Sequence, residues 1–329
     1  MLKVGKIPEN VLKRSVFKQI QTKRPEVLLG AGVGEDCAAL RLSEDEIFVL
    51  STDPITGTAQ DIGKLALHIT LNDLAAAGAE PVGLMLTVLL PEGSEETELK
   101  DMMRQLEEGC AKAHVQILGG HTEVTRAVNQ PVLSVCGVGK AREGQLVSTA
   151  GVKPGQDIVI TKWIGLEGTS IIAKEKGAEL LTRYPKDMVK EAKEFDRYLS
   201  VLPEAKVAVD SGVTAMHDVT EGGIFGALWE LAESSGVGLE VDLKRIPVKQ
   251  ETVEICEFFG ISPYELISSG SMLMASEDGN QLVRELVAAG IPAVVVGKAT
   301  KGNDRVIINE EERRFLEPPK ADELYKVIA

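Results

Sequence analysis

The chain has 329 residues, a formal net charge of −14, a pI near 4.9 and a hydrophobic content of 44%. This length exceeds the size at which a single core stops growing, so we predict two domains, residues 1–150 and 151–329. The acidity argues against a nucleic-acid-binding protein, which needs a basic surface along the phosphates. The sequence shows no apolar run of about 18 residues and no secretory h-region. We therefore expect a cytoplasmic protein that does not bind membranes.

The cysteines are scattered and show no C-x-x-C spacing. This distribution disfavours a structural zinc site and a redox dithiol. We expect all four to be core thiols: Cys37, Cys110, Cys136 and Cys256.

A glycine-rich loop, Gly30 to Gly34, is followed directly by two acids and by an apolar run, Cys37 to Leu40, that is typical of a buried strand. Glycines at alternate positions leave the backbone free for close approach to a ligand, so Gly32 and Gly34 are candidate nucleotide contacts. The loop precedes a strand, whereas a Rossmann fingerprint follows one. No Gly-Lys pair is followed by Ser or Thr, so the sequence also has no Walker A loop.

Hydrophobic periodicity predicts alternating helices and strands along the whole chain. In the first half we predict helices at 8–21, 61–78 and 94–113, and strands at 47–51, 81–90, 115–118 and 131–138. In the second half we predict helices at 169–176, 187–199 and 224–234, and strands at 158–161, 238–242, 271–275 and 293–296. A proline break at 318–319 precedes a short terminal helix. The pattern indicates an α/β or α+β chain.

Acidic side chains recur at the ends of predicted strands in the first half. Asp36 and Asp53 each adjoin a strand, and the strand at 115–118 ends in the polar turn Gly119 to Glu123. Asp73, beside Asn72, lies within an apolar helix, where an acid is costly unless its charge is compensated. Either Asp73 faces solvent, or these acids converge on one sheet edge and bind Mg²⁺ together with phosphate oxygens. In the second case the bound metal also allows an acidic protein to hold a nucleotide.

Two further polar segments are candidate functional elements. His121 follows a double glycine and could bind phosphate, transfer a proton or cap the turn. Asp218 precedes Gly222 and Gly223, which introduce a predicted helix whose first backbone amides could hold an anion.

Taken in order, these motifs resemble the aminoimidazole ribonucleotide (AIR) synthetase superfamily, which has the PurM-like fold, over nearly the full chain. The resemblance rests on Gly32-Val33-Gly34-Glu35-Asp36-Cys37-Ala38, Ser51-Thr52-Asp53, Asn72-Asp73-Leu74-Ala75-Ala76-Ala77-Gly78-Ala79, Gly119-Gly120-His121-Thr122 and Asp218-Val219-Thr220-Glu221-Gly222-Gly223. It implies an N-terminal ATP- and Mg-binding domain that dimerises, and a C-terminal α/β domain that completes the ATP cleft. We expect a homodimer acting on a small-molecule substrate.

The resemblance also assigns roles to individual residues. It implies metal and phosphate positions at Asp36, Asp53 and Asp73, with Asn72 beside them, and an acid from the second domain at Asp218. We take His121 and Asp218 as the candidate catalytic residues. The candidate ATP contacts are Gly32, Gly34, Thr52, Asn72, Gly119, Gly120, Thr122, Gly222 and Gly223.

Among the members, the segments 61–66 and 160–168 look most like the hydrogenase maturation protein HypE. Members of that group end in a cysteine that receives a carbamoyl group, whereas this sequence ends in Ala329. His121 also stands where that group usually has an acid. The first hypothesis is an enzyme that uses Mg-ATP to phosphorylate or activate an oxygen of a small molecule. The alternative is an ATP-binding assembly or regulatory factor in metallocluster maturation, with little turnover and with a maturation protein as its partner.

Overall fold

The computed structural model describes residues 5–6, 11, 13–29, 39–56, 61–318 and 321–328. The chain forms two compact units. The first comprises Met1–Ala75 and Ala79–Leu146, and the second comprises Ala76–Gly78 and Val147–Ala329. Both contain sheets and helices, which confirms the expected two-domain α/β (α+β) class. The predicted loop at Gly30 to Gly34, and with it Gly32, Gly34 and Asp36, lies outside the described residues.

The first unit contains seven described strands. They are β1 (Gly5–Lys6), β2 (Val27–Leu29), β3 (Ala39–Leu40), β4 (Glu46–Ile55), β5 (Glu80–Leu90), β6 (Gln116–Val124) and β7 (Val132–Arg142). Five of them form one sheet in the order β1-β6-β5-β7-β4, while β2 and β3 pair separately. The pair β5 and β6 is parallel, and the other neighbours in the large sheet are antiparallel.

Two helices, α1 (Ile62–Ala76) and α2 (Glu96–Ala113), cover one face of this sheet. They can pack closely because glycines lie at the contacts. A Cβ on Gly109 of α2 would lie 2.0 Å from Leu67 of α1, and a Cβ on Gly137 of β7 would lie 2.5 Å from Thr70. A glycine at each position therefore removes a steric clash between close-packed elements.

On the other face of the sheet, several strand side chains are exposed. Side chains along β5 alternate, so that Leu86 and Val88 are buried, while Thr87 between them is exposed. On β4 the large apolar side chains of Phe48 and Leu50 are 52% and 65% exposed. The open face is thus partly apolar.

The second unit is a seven-stranded sheet with helices. Its strands are β8 (Asp157–Thr161), β9 (Ala215–Val219), β10 (Gly238–Asp242), β11 (Ser271–Ser276), β12 (Ala293–Thr300), β13 (Arg305–Asn309) and β14 (Glu312–Phe315). Its helices are α3 (Leu166–Glu175), α4 (Gly177–Leu180), α5 (Lys186–Lys193), α6 (Leu202–Asp210), α7 (Gly223–Ser235), α8 (Gln250–Phe259) and α9 (Gly279–Ala288). The strand order is β14-β13-β10-β12-β8-β11-β9, and only β10 and β13 pair in parallel.

The described residues of this unit include two apolar cores, one against the sheet and one among the helices. Ile224, Leu228 and Leu231 of α7 pack with Ile158 and Ile160 of β8 in the first core. The second core joins α3, α5 and α8 and includes Leu324, which belongs to a short 3₁₀-helix, Glu323–Lys326. The C-terminal segment is therefore packed into the second unit.

The predicted elements differ from the observed ones at a few places. Within the described part of 8–21, the predicted amphipathic helix contains a π-helical turn, Lys13–Phe17. Helices α4, α6 and α9 and strands β1, β2, β9, β13 and β14 were not predicted. Most of these elements are short, but α9 has ten residues with an amphipathic pattern in which Leu282 and Leu286 are buried. None of the described helices has the length and apolarity needed to cross a membrane.

Candidate functional site

Two of the predicted metal-binding acids lie on the same face of the first sheet, at its β4 edge. The Ser51 hydroxyl of β4 donates a hydrogen bond to Asp73 Oδ2 on α1. Asp53 lies two residues after Ser51, and side chains two apart on a strand point to the same face. The structure therefore brings Asp53 and Asp73 to one edge, on the face that the helices cover. Thr52 points to the opposite face and is exposed.

A row of paired residues crosses the sheet from this edge to Gly120. The expected polar turn at Gly119 to Glu123 is wrong, because these residues continue strand β6 in parallel pairing with β5. Asp53 pairs with Val135 on β7, Val135 with Leu86 on β5, and Leu86 with Gly120 on β6. Three strand spacings place Asp53 and Gly120 about 14 Å apart. Gly120 has φ +147°, and a Cβ there would lie 1.9 Å from the Leu86 carbonyl oxygen. Only glycine fits this position.

His121 is on the opposite face of the sheet from Asp53 and Asp73. It pairs with Thr87, whose side chain is exposed, and its Nε2 lies 3.2 Å from Glu123 Oε2. Gly119 lies on the same face as His121, and Thr122, on the other face, is buried. Within this unit, the sheet itself separates the imidazole from the two acids.

The remaining predicted residues of the first unit have simpler environments. Asn72 is fully buried on α1. The described residues contain no group of three or more His, Cys, Asp and Glu side chains that could hold a metal ion. Two carboxylates such as Asp53 and Asp73 nevertheless suffice for Mg²⁺ when a nucleotide supplies phosphate oxygens, so the donor set fits Mg-ATP.

The second unit has its own polar site, built where β9 ends and α7 begins. Asp218 lies on β9, paired with Met272 of β11, and its side chain is buried. The chain then turns through Gly222 and Gly223, which have φ values of +82° and +62°. A Cβ on Gly223 would lie 2.6 Å from the Tyr264 carbonyl oxygen. The glycines thus let the start of α7 pack directly against the loop at 264–269.

The amide at the start of α7 already has a partner within the chain. Gly222 donates its backbone N–H to Asp322 Oδ2 at 2.7 Å. Asp322 Oδ1 also accepts hydrogen bonds from the amides of Ile267 at 3.2 Å and Leu324 at 2.9 Å. Burial raises the pKa of the Asp322 carboxyl, and the three amide donors offset part of that rise. The sequence predicted that the backbone amides at Gly222 hold an anion. In this structure the group that the Gly222 amide binds is the carboxylate of Asp322, in the C-terminal segment.

Glu167 was not predicted as a site residue. It lies in the first turn of α3, is 3% exposed, and has its pKa raised to about 7, first by burial and further by the nearby charges of Asp322 and Asp218. Ser269 lies beside it and offsets part of the rise. The sequence feature that could have identified Glu167 is an acidic residue among the apolar residues at the start of a predicted helix.

The expectation of four core thiols holds for two cysteines, whereas Cys136 on β7 is only partly buried and Cys37 lies outside the described residues. Cys110 and Cys256 are buried, and burial raises the pKa of both thiols, that of Cys256 to about 12.

Comparison with known proteins places this geometry in a family. The family model for the N-terminal domain of AIR synthase related proteins matches residues 34–141, and the model for the C-terminal domain matches residues 153–309. The chain belongs to the AIR synthase related family. The expected superfamily and its two-domain fold are thereby confirmed.

Several of the curated relatives are proteins of hydrogenase maturation. A hydrogenase expression/formation protein from Methanocaldococcus jannaschii is 29% identical, over 98% of this chain and 97% of that protein. The carbamoyl dehydratase HypE of Cupriavidus necator is 30% identical, over 86% of this chain and 79% of that protein. Among solved structures, HypE in complex with ATP superposes with a TM-score of 0.81 at 21% identity, covering 99% of this chain and 97% of that one. The closeness to HypE that the motifs indicated is confirmed.

Proposed function

We propose that this protein binds Mg-ATP and uses it to phosphorylate or otherwise activate an oxygen atom of a small molecule, in the context of hydrogenase maturation. The observation that supports this most directly is that Asp53 and Asp73 lie at one sheet edge, where Ser51, on the same strand as Asp53, donates a hydrogen bond to Asp73. The family membership, the HypE relative and the ATP-bound HypE structure support the same function.

In this proposal the two acids hold Mg²⁺, and Asn72 and the glycines on β6 border the nucleotide. Asp53 and Asp73 are well suited to the metal because Ser51 orients the Asp73 carboxylate toward the strand that carries Asp53. Bound Mg-ATP would supply the phosphoryl group and neutralise phosphate charge that the acidic chain otherwise repels.

Thermal unfolding with and without nucleotide tests the proposal. At about 100 times Kd, Mg-ATP stabilises the folded chain by roughly 2.7 kcal/mol, which raises the midpoint by several degrees. ATP with EDTA should have a much smaller effect. Asp53→Asn and Asp73→Asn should each remove most of the Mg-dependent shift, and Asp101→Asn, an exposed acid on α2, should retain it. If saturating Mg-ATP leaves the thermal unfolding midpoint unchanged, the protein does not have this function.

The second candidate function is that of an assembly factor with little turnover. It is favoured by the relative named for hydrogenase expression and formation. Release of ADP separates the two candidates, because an enzyme releases ADP when incubated with Mg-ATP and its substrate, whereas an assembly factor binds the nucleotide without consuming it.

A further inference from the structure

A cavity of about 320 Å³ lies in the second unit, beside the first turn of α7. The loop at 264–269, strands β13 and β14 and the segment after β14 form its other walls. Its lining combines apolar side chains with one basic and two acidic residues: Phe225, Ile307, Leu316, Arg314, Glu265 and Glu317. Small-molecule sites in proteins have this size and this kind of lining, with a few polar groups among apolar ones. The cavity is therefore a candidate binding site, and its charged residues indicate the ligand.

Hydrogen bonds attach the walls of the cavity to one another. Leu316, which follows β14, donates its backbone N–H to the Arg305 carbonyl of β13 at 2.8 Å. Asp322, next to the lining residue Ala321, accepts the Gly222 amide at the start of α7. A ligand that enters the cavity therefore meets walls that are already in place, which reduces the ordering cost of binding.

The basic residue of the cavity, Arg314, is held on an aromatic ring. Its Cζ atom lies 5.1 Å from the centroid of the Phe225 ring. Phe225 is itself fixed, because its ring stacks on Tyr264 with the centroids 5.2 Å apart and its amide donates to the Tyr264 carbonyl. Among the residues that the structure describes, no oxygen pairs with the Arg314 guanidinium, and the side chain is exposed. Its N–H donors are thus oriented by the ring and available to a ligand.

The other arginines of the second unit each have an oxygen partner: Arg183, Arg197, Arg245, Arg284, Arg305 and Arg313. Arg305 is the nearest comparison, because it lies on the same face of β13 and β14 as Arg314. Its Cζ atom lies 4.9 Å from the centroid of Trp229, one turn after Phe225 on α7, and it pairs with Glu233 a further turn along. Arg314 repeats this arrangement without the acid. In a chain with a formal net charge of −14, the missing counter-charge indicates an anionic ligand.

We propose that the cavity binds a small monocarboxylate with an apolar body, and that the carboxylate pairs with the Arg314 guanidinium. A carboxylate accepts two parallel N–H bonds from a guanidinium, which fits the planar group held on Phe225. Glu265 and Glu317 line the same cavity and repel a second negative charge, so a carboxylate monoanion is favoured over a phosphate dianion. The apolar lining covers the body of the ligand. Binding here does not depend on the Mg-ATP site of the proposed function.

Isothermal titration calorimetry of the full chain without nucleotide, at about pH 8, tests the cavity. The probes are sodium benzoate and sodium butyrate, which are ionised at this pH. The comparison compounds are benzamide, which has the same ring without the charge, and inorganic phosphate. Benzoate and butyrate should bind, and benzamide and phosphate should bind at least about tenfold more weakly, because hydrogen bonds to charged groups are the stronger ones.

Variants identify the site. Arg314→Gln should fold, since the side chain is exposed, and should weaken benzoate binding at least about tenfold. Arg314→Lys retains the charge without the planar fork and should bind benzoate with intermediate affinity. The matched control is Arg313→Gln, the adjacent arginine on the opposite face of β14, which should bind benzoate as the wild type does.

Several results would overturn the proposal. They are no heat of binding with benzoate or butyrate, equal affinity for benzoate and benzamide, phosphate binding as tight as benzoate binding, and an Arg314→Gln variant that binds benzoate like the wild type. Competition distinguishes the cavity from the nucleotide site. Saturating Mg-ATP should leave the benzoate Kd unchanged, whereas displacement of benzoate by Mg-ATP would assign the cavity to the nucleotide site and contradict a separate carboxylate site.

Discussion

The carboxylate of Asp322 accepts a hydrogen bond from the backbone amide of Gly222 at 2.7 Å, across one hundred residues of sequence. This contact ties the C-terminal segment to the turn that begins α7. The same carboxylate binds the amides of Ile267 and Leu324, so one side chain joins three segments of the second unit.

Asp322→Ala should loosen this junction. Three backbone amides lose their acceptor, and each buried group left unpaired costs about 1 to 3 kcal/mol. We expect amide hydrogen exchange at Gly222 and Ile267 to accelerate at least about fivefold, measured by mass spectrometry on the peptides that contain them. The matched control is Asp304→Ala, an exposed acid of the same unit. If amide hydrogen exchange at Gly222 is the same in Asp322→Ala as in the wild type, the hydrogen bond between Gly222 and Asp322 does not hold the C-terminal segment in place.

Glu167 should make the stability of the chain depend on pH. Its pKa in the folded chain is about 7, above the ordinary value of 4.5, so the folded state binds this proton more tightly than the unfolded state. The resulting stabilisation is complete below about pH 4.5 and is lost as pH rises through about 7, with a total on the order of 3 kcal/mol. Urea unfolding at several pH values should show this fall in the wild type. Glu167→Gln should flatten it, and Glu175→Gln should not; parallel wild-type and Glu167→Gln profiles would contradict the assignment.

A buried ion pair, Lys162 with Glu204, should be costly to break. The two charged atoms are 2.7 Å apart, and Lys162 Nζ also donates to the carbonyls of Tyr198 and Ser200. Glu204→Gln leaves the ammonium buried without its counter-charge, and we expect a loss of about 3 to 5 kcal/mol in urea unfolding. Glu257→Gln, which breaks an exposed pair with Arg183, should cost less than about 1 kcal/mol. The double variant Lys162→Met, Glu204→Leu should be less destabilised than Glu204→Gln; equal losses would show that burial of charge is not the cause.

The open face of the first sheet should pair with a second copy of the chain. We expect sedimentation at micromolar concentration to give about twice the 35.3 kDa chain mass. Phe48 and Leu50 are large apolar side chains of β4 that are exposed on this face. If two copies pair through this face, a charged side chain introduced at Leu50 would be buried between them. Leu50→Glu should therefore produce a monomer, while Leu181→Glu, an exposed leucine of the second unit, should stay dimeric. A monomeric wild type would exclude the dimer.

Much of the architecture could be predicted from the sequence, because helix and strand periodicity is a local property of the chain. The apolar run at 61–78 predicted α1, and the run at 81–90 predicted β5, each within a few residues of its observed bounds. The acids at Asp53 and Asp73 were recognisable as candidates for the same reason, since each stands out against an apolar neighbourhood.

Only the tertiary structure decided how these residues meet. Sequence spacing could not show that the sheet places His121 on the opposite face from Asp53, because the face depends on strand register and on a bulge in the pairing of β5 with β6. Nor could it show that the Gly222 amide donates to Asp322 or that Glu167 is buried beside Ser269. Burial and electrostatic coupling depend on which distant segments pack together, so the sequence determined the elements and the candidate acids, and the fold determined their partners.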